Sequence, residues 1–168
     1  MPLPKTLLQK YPAINFVETG TFQGEGVVFA SQYDYKAIHS IEADFNMARD
    51  AKDKFRDYPR VNIWQGKSEN VLPSVIEHLQ GSITFWLDAH MESNLTATNC
   101  PILKELACIT PLLTDRKVNV LIDDWRLMST DLREKILLYV SKLLGKVKSG
   151  FEDTHIASAD IFWFTYRP

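Results

Sequence analysis

The chain has 168 residues, 45% of them hydrophobic and 24% charged, with a formal net charge of -2. This length suits one domain, residues 1–168, with a sizeable core, and the balanced charge gives no global attraction to nucleic acid or to an acidic membrane. Cys100 and Cys108 alone make neither a disulfide framework nor a zinc site. The first residues lack signal-peptide form and no apolar run would span a bilayer, so a cytoplasmic, reduced protein is the default expectation.

Strand and helix patterns alternate along the chain. Residues 4–11 read as a short leading helix, 13–18 as a strand and 24–33 as a helix. Residues 36–42 (KAIHSIE) form the next strand. The helix at 44–57 carries Phe45, Ala48, Ala51 and Phe55 on one face. A strand at 61–65 and a helix at 70–79 lead to the apolar strand 82–88 (SITFWLD). Residues 89–100 are the one long irregular connection, and long loops tend to be functional. Pro101 opens a helix through 113, where its missing N–H costs nothing. The strand 118–123 (VNVLID) precedes a helix at 129–144, capped by Ser129 or Thr130 and ended by Gly145. Residues 151–157 and 160–166 are spaced as a hairpin. Lys142, Lys146 and Lys148 read as a solvated helix end, and Cys108 as a core residue. Five βα units in series imply an α/β fold: a doubly wound, mostly parallel, Rossmann-like sheet with a C-terminal antiparallel hairpin.

Chemistry gathers at the carboxyl ends of the strands, where open α/β sheets bind ligands. Glu18 ends the first strand and runs into Thr19-Gly20-Thr21-Phe22-Gln23-Gly24 before a helix. The glycines allow close backbone approach, and the helix start offers unpaired N–H groups. Glu18 would repel a pyrophosphate but can hold an ammonium or orient hydroxyls, and the spacing does not follow G-x-G-x-x-G, which disfavours an NAD-type oxidoreductase. The second strand ends in Glu42-Ala43-Asp44; Glu42 stands where an acid accepts the hydroxyls of a ribose, while Asp44 caps the helix that follows. The third runs into Gly66-Lys67-Ser68, with Ser68 able to meet a base edge. The fourth and fifth end in Asp88 and in Asp123-Asp124, three hard oxygen donors suited to Mg²⁺, Mn²⁺ or Ca²⁺. Trp86, Phe85, Phe162 and Phe164 read as core. Trp125 either borders a substrate pocket or covers the sheet edge, and an outward Trp163 would mark the surface of a homodimer.

Taken together, Glu18-x-Gly20-x-Phe22-x-Gly24, Ile41-Glu42, Gly66-Lys67-Ser68, Phe85-Trp86-Leu87-Asp88 and Leu121-Ile122-Asp123-Asp124 resemble the class I S-adenosylmethionine-dependent methyltransferases. Within that family the chain is most similar to the divalent-metal-dependent O-methyltransferases of the catechol and macrolide-sugar type. The resemblance implies a cofactor site built from Glu18, Gly20, Thr21, Phe22, Gly24, Glu42, Ala43, Gly66, Lys67, Ser68 and Asp88. It implies a metal, Mg²⁺ by preference, at Asp88, Asp123 and Asp124, which acidifies a hydroxyl of a small-molecule or glycosylated acceptor. Methyl transfer then depends on alignment and exclusion of water.

The sequence departs from the catechol type after Asp88. Those enzymes carry a lysine base there, whereas this chain reads Ala89-His90-Met91-Glu92. His90 takes that catalytic role beside Asp88, histidine being the side chain type suited to proton transfer near neutral pH. The stretch ahead of Glu18 is short, so the loop 89–100, the tail or a second subunit is left to roof the acceptor site. Two other readings stay open: a metal-independent methyltransferase acting on an amine, and a cofactor-binding module without catalysis.

Overall fold

The computed structural model describes residues 6–90, 95–143 and 146–168. Pro4, the middle of the loop 89–100 and the helix stop at Gly145 lie outside the described residues. Among the described residues seven strands form one sheet: β1 (Asn15–Thr19), β2 (Ala37–Glu42), β3 (Val61–Gln65), β4 (Ile83–Leu87), β5 (Val118–Ile122), β6 (Val147–Glu152) and β7 (Ile161–Tyr166). Their spatial order is β3-β2-β1-β4-β5-β7-β6. The first five are parallel; β7 runs antiparallel to both β5 and β6. The sheet is therefore doubly wound, with its topological switch between β1 and β4.

Alternation along the strands explains why both faces are covered. Phe16, Trp86, Leu121 and Ile161 point to one side, where they meet α1 (Leu7–Lys10), α2 (Glu25–Ala30) and α3 (Phe45–Lys54). Val17, Phe85, Val120 and Phe162 point to the other, against α4 (Ser68–Glu77), α5 (Ile102–Ile109) and α6 (Thr130–Ser141). Successive residues facing opposite ways under helices on both sides give the continuous apolar runs of a buried parallel sheet. Among the described residues, no helix is long and apolar enough to cross a membrane.

Local chemistry sets the helix starts. Asp44 accepts the N–H of Met47 at 2.9 Å, and Ser129 accepts that of Leu132 at 3.2 Å; such caps are worth about 1 kcal/mol each. Ala48, Ala51 and Phe55 are buried on α3, but Phe45 is 67% exposed. It occupies the first helical position just past β2, beyond the ground that the sheet covers.

The last hairpin differs from expectation. β6 spans Val147–Glu152, several residues earlier than the pattern at 151–157 suggests, so Lys148 lies on an edge strand and not at a helix end. The cause is the polar turn that follows. Thr154 N–H bonds to Ala157, Ala159 N–H to the Asp153 carboxylate, and Asp160 N–H back to Glu152, satisfying that backbone within the loop. Trp163 packs on Tyr11, ring centroids 5.5 Å apart, and is half-buried. Cys108 is half-buried against the larger core cluster.

Candidate active site

Register brings the strand ends into line. Ile41, Thr19, Leu87 and Ile122 are successive partners across β2, β1, β4 and β5. The residues one step beyond them are Glu42, Gly20, Asp88 and Asp123. Backbone bonds carry the alignment past the strands: Gly20 N–H to Ile41 (2.8 Å), Asp88 N–H to Thr19 (3.1 Å) and Asp123 N–H to Leu87 (3.1 Å). A cavity of about 760 Å³ opens over this row.

Among its lining residues are Glu18, Gly20, Thr21, Phe22, Glu42, Ala43, Gly66, Lys67, Ser68 and Asp88, all expected from the sequence at a cofactor site. Gly24 does not line it. Its φ of +78° opens α2, and a side chain there would meet the Phe55 ring at 2.6 Å. Gly20 lines the cavity, but what excludes a side chain is the protein itself: φ is +86° and a Cβ would stand 2.3 Å from the Asp88 carbonyl oxygen. Gly26, which the sequence did not single out, leaves room for Glu18; a Cβ there would lie 1.7 Å from Glu18 Oε1.

Glu18 is buried, and burial pushes its pKa up to about 8, despite the Ser40 hydroxyl that donates to Oε2 at 2.6 Å. Ser40 in turn shares a 2.6 Å hydrogen bond with Thr21. A buried acid with a raised pKa fits the ammonium of an amino-acid-bearing cofactor. Glu42 accepts the N–H of Phe22 through Oε2 (2.8 Å) and of Asp44 through Oε1 (2.9 Å). Each oxygen keeps a lone pair for a pair of vicinal hydroxyls.

The other end of the cavity is lined by Asp88, His90, Asp123 and Asp124. Single ligand atoms of Asp88, His90 and Asp124 lie within 4.8 Å of one another, and so do those of Asp123, Asp124 and Asp160. His90 Nε2 is 3.8 Å from Asp88 Oδ1 and 3.6 Å from Asp124 Oδ2, with the side chain 1% exposed. Asp123 Oδ1 instead accepts the backbone N–H of Asp124 at 2.8 Å. Burial and the neighbouring Asp123 and Asp124 carboxylates hold Asp88 well above the usual carboxylate range. Burial likewise lifts Asp123 to about 6. Burial pushes Asp124 the same way, but His90 and Arg126 outweigh it and hold it low. Crowded acids with raised pKa values fit a cation, since a positive charge would relieve both desolvation and mutual repulsion. Asp124 adopts φ +53°, a sparsely populated conformation concentrated at functional sites.

Three charged residues here escaped the sequence reading. Arg126 Nη1 forms an ion pair with Asp124 Oδ1 at 2.8 Å and donates a hydrogen bond to the fully buried Asp160, tying the end of β5 to the start of β7. Glu105 is fully buried on α5, near the hydroxyls of Thr19 and Ser68, yet neither oxygen has a hydrogen bond of normal geometry. Burial raises it to about 7. Its signal was legible: Glu105 shares the helical face of Ile102 and Ile109, an apolar stripe on which a carboxylate is out of place. Trp125 is buried against Phe162 and Phe151, ring centroids 4.9 and 5.5 Å away, and covers the sheet end without lining the cavity.

No family model matches the sequence, and no curated protein matches it. Solved structures do. The O-methyltransferase from Bacillus cereus in complex with S-adenosylhomocysteine superposes with a TM-score of 0.66 at 16% identity, covering 98% of this chain and 78% of that one. The chain has the class I S-adenosylmethionine-dependent methyltransferase fold. The O-methyltransferase TomG from Streptomyces achromogenes, solved with S-adenosylmethionine, gives 0.66 at 15% identity over 96% and 76% of the two chains. The S-adenosylhomocysteine-bound methyltransferase PaMTH1 of Podospora anserina gives 0.63 at 14% identity over 98% and 76%. The expected fold, including the terminal antiparallel pair, is thus borne out.

Proposed function

We propose that this protein transfers a methyl group from S-adenosylmethionine to a hydroxyl of a small molecule or sugar, assisted by a divalent cation. The observation that carries the reading is the row Glu42, Gly20, Asp88, Asp123 along one rim of the sheet, over a cavity at the switch between β1 and β4. The structural neighbours solved with S-adenosylmethionine or S-adenosylhomocysteine support the choice of cofactor.

In this reading Glu18 receives the cofactor's ammonium and Glu42 its ribose hydroxyls. Gly66, Lys67 and Ser68 border the base. Asp88, Asp123 and Asp124 fit a cation at the acceptor end, where it would stabilise negative charge developing on the acceptor oxygen. His90 stands at the same end, where an imidazole can take up a proton or offer a lone pair. Free thiols at Cys100 and Cys108 accord with a reducing, cytoplasmic setting.

Incubation of the full chain with S-adenosylmethionine and a panel of phenolic and sugar hydroxyls tests the proposal. S-adenosylhomocysteine should form, fall at least about tenfold with EDTA and recover with added dication. A second reading draws on Arg126, which already neutralises part of Asp124: a metal-independent enzyme whose acids bind an amine. EDTA-insensitive turnover of amine acceptors would favour it.

A further inference from the structure

His90 is the residue in the acid-lined end whose surroundings are least explained by packing. Its side chain is 1% exposed, and among the described residues neither ring nitrogen has a hydrogen-bond partner. Buried imidazole nitrogens are ordinarily satisfied, so an orphaned pair needs a cause. Nε2 points at two carboxylate oxygens, Asp88 Oδ1 at 3.8 Å and Asp124 Oδ2 at 3.6 Å. These are too long for hydrogen bonds. They approach the separation of donors around one small dication, which at bond lengths of about 2.1 Å is roughly 3.0–3.5 Å.

Asp123 is placed differently. Its Oδ1 is engaged by the backbone N–H of Asp124, and its carboxylate groups with Asp124 and the buried Asp160. That hydrogen bond fixes the strained turn which presents Asp124. Asp124 Oδ1 faces Arg126 as an ion pair without hydrogen-bond geometry, and Oδ2 faces His90.

We propose that Asp88, His90 and Asp124 form a mixed carboxylate–imidazole cradle for a divalent transition cation of the Mn²⁺ to Zn²⁺ series, with Asp123 a positioning residue outside the ligand set. This rests on the metal-assisted reading above and deepens it by naming the class of ion and by replacing Asp123 with His90 among the ligands. Mg²⁺ and Ca²⁺ take oxygen donors, whereas imidazole nitrogen suits the later first-row ions such as Co²⁺ and Zn²⁺, with Mn²⁺ at the oxygen-preferring end of the series. It assigns the His90 lone pair to holding the cation and not to removing the acceptor's proton.

The test titrates the full chain, saturated with S-adenosylhomocysteine, with MnCl₂, CoCl₂ and MgCl₂. Binding is read by Mn²⁺ electron paramagnetic resonance, Co²⁺ visible absorption and thermal shift. Co²⁺ and Mn²⁺ should bind at least about tenfold more tightly than Mg²⁺. Spin-echo modulation of the Mn²⁺ complex should show a directly bound imidazole nitrogen. His90→Ala should weaken Co²⁺ by about tenfold or more while sparing S-adenosylhomocysteine; Asp123→Asn should keep the nitrogen signal. Should His90→Ala fail to fold, the nitrogen signal of the unaltered protein still decides. Mn²⁺ bound without a nitrogen ligand, or Mg²⁺ binding that Asp123→Asn removes and His90→Ala does not, overturns the assignment in favour of three carboxylates. A protein that binds S-adenosylhomocysteine but no dication overturns it by removing the metal-assisted reading itself.

Discussion

At the scale of single residues, Glu18 carries the sharpest consequence. Burial holds it near pKa 8 in the free protein, whereas a bound ammonium favours its ionised form. Cofactor binding should therefore release a proton below about pH 8, and affinity should rise with pH by up to about tenfold per unit. Calorimetry with S-adenosylhomocysteine at pH 6, 7 and 8 checks this. The unaltered protein should tighten severalfold, and Glu18→Gln should be weaker and flat; a flat profile in both would take Glu18 out of the ammonium role. Gly26→Ala gives an independent probe. Alanine favours the helix by up to about 1 kcal/mol, but its Cβ would strike Glu18 Oε1 and break the Ser40 bond, worth about 1.5 kcal/mol. Stability should change little while S-adenosylhomocysteine affinity drops at least about tenfold. Retained affinity would mean that Glu18 can move without consequence.

At the scale of elements, α5 is unusual in placing a carboxylic acid within an otherwise apolar stripe. Glu105 has its pKa raised by burial to about 7, against 4.5 for an ordinary glutamate. Between these values the folded state holds a proton that the unfolded chain has lost, so stability falls as pH rises through that window. The loss is on the order of 3 kcal/mol and is complete by about pH 7. Glu105→Gln should flatten the pH dependence of the melting temperature between pH 5 and 7 relative to the parent; parallel curves would show that another group sets it. Elements are also where the limits of sequence reading are plainest. β1, β2, β4 and β5 announced themselves by apolar runs ending in acids, because both faces of a parallel sheet are buried. β6 did not. It is an edge strand with charged, exposed positions, and its start is set by the hydrogen-bonded turn at 153–160. That turn involves groups distant in sequence, which no local pattern reports. The same holds for Asp160: its type was visible, but its juxtaposition with Asp124 depends on how the hairpin folds back over the sheet, whereas His90, two residues past Asp88, was placed beside it by the sequence.

At the scale of the whole molecule, the sheet acts as an alignment device. Parallel pairing of β2, β1, β4 and β5 with matched ends puts Glu42, Glu18 and the Asp88, Asp123 and Asp124 group, the acids proposed for ribose, ammonium and cation, in sequence along about three strand spacings, each roughly 4.8 Å. A cofactor lying across those ends would present its sulfonium between Glu42 and Asp88. Calorimetric titration of the full chain and of Glu42→Ala with S-adenosylhomocysteine, with thermal melts to confirm that both are folded, probes this most directly. One molecule should bind saturably to the unaltered protein and at least about tenfold more weakly to the variant. Folded protein that gives no binding heat, or equal affinity in the two, would refute a cofactor site along this rim.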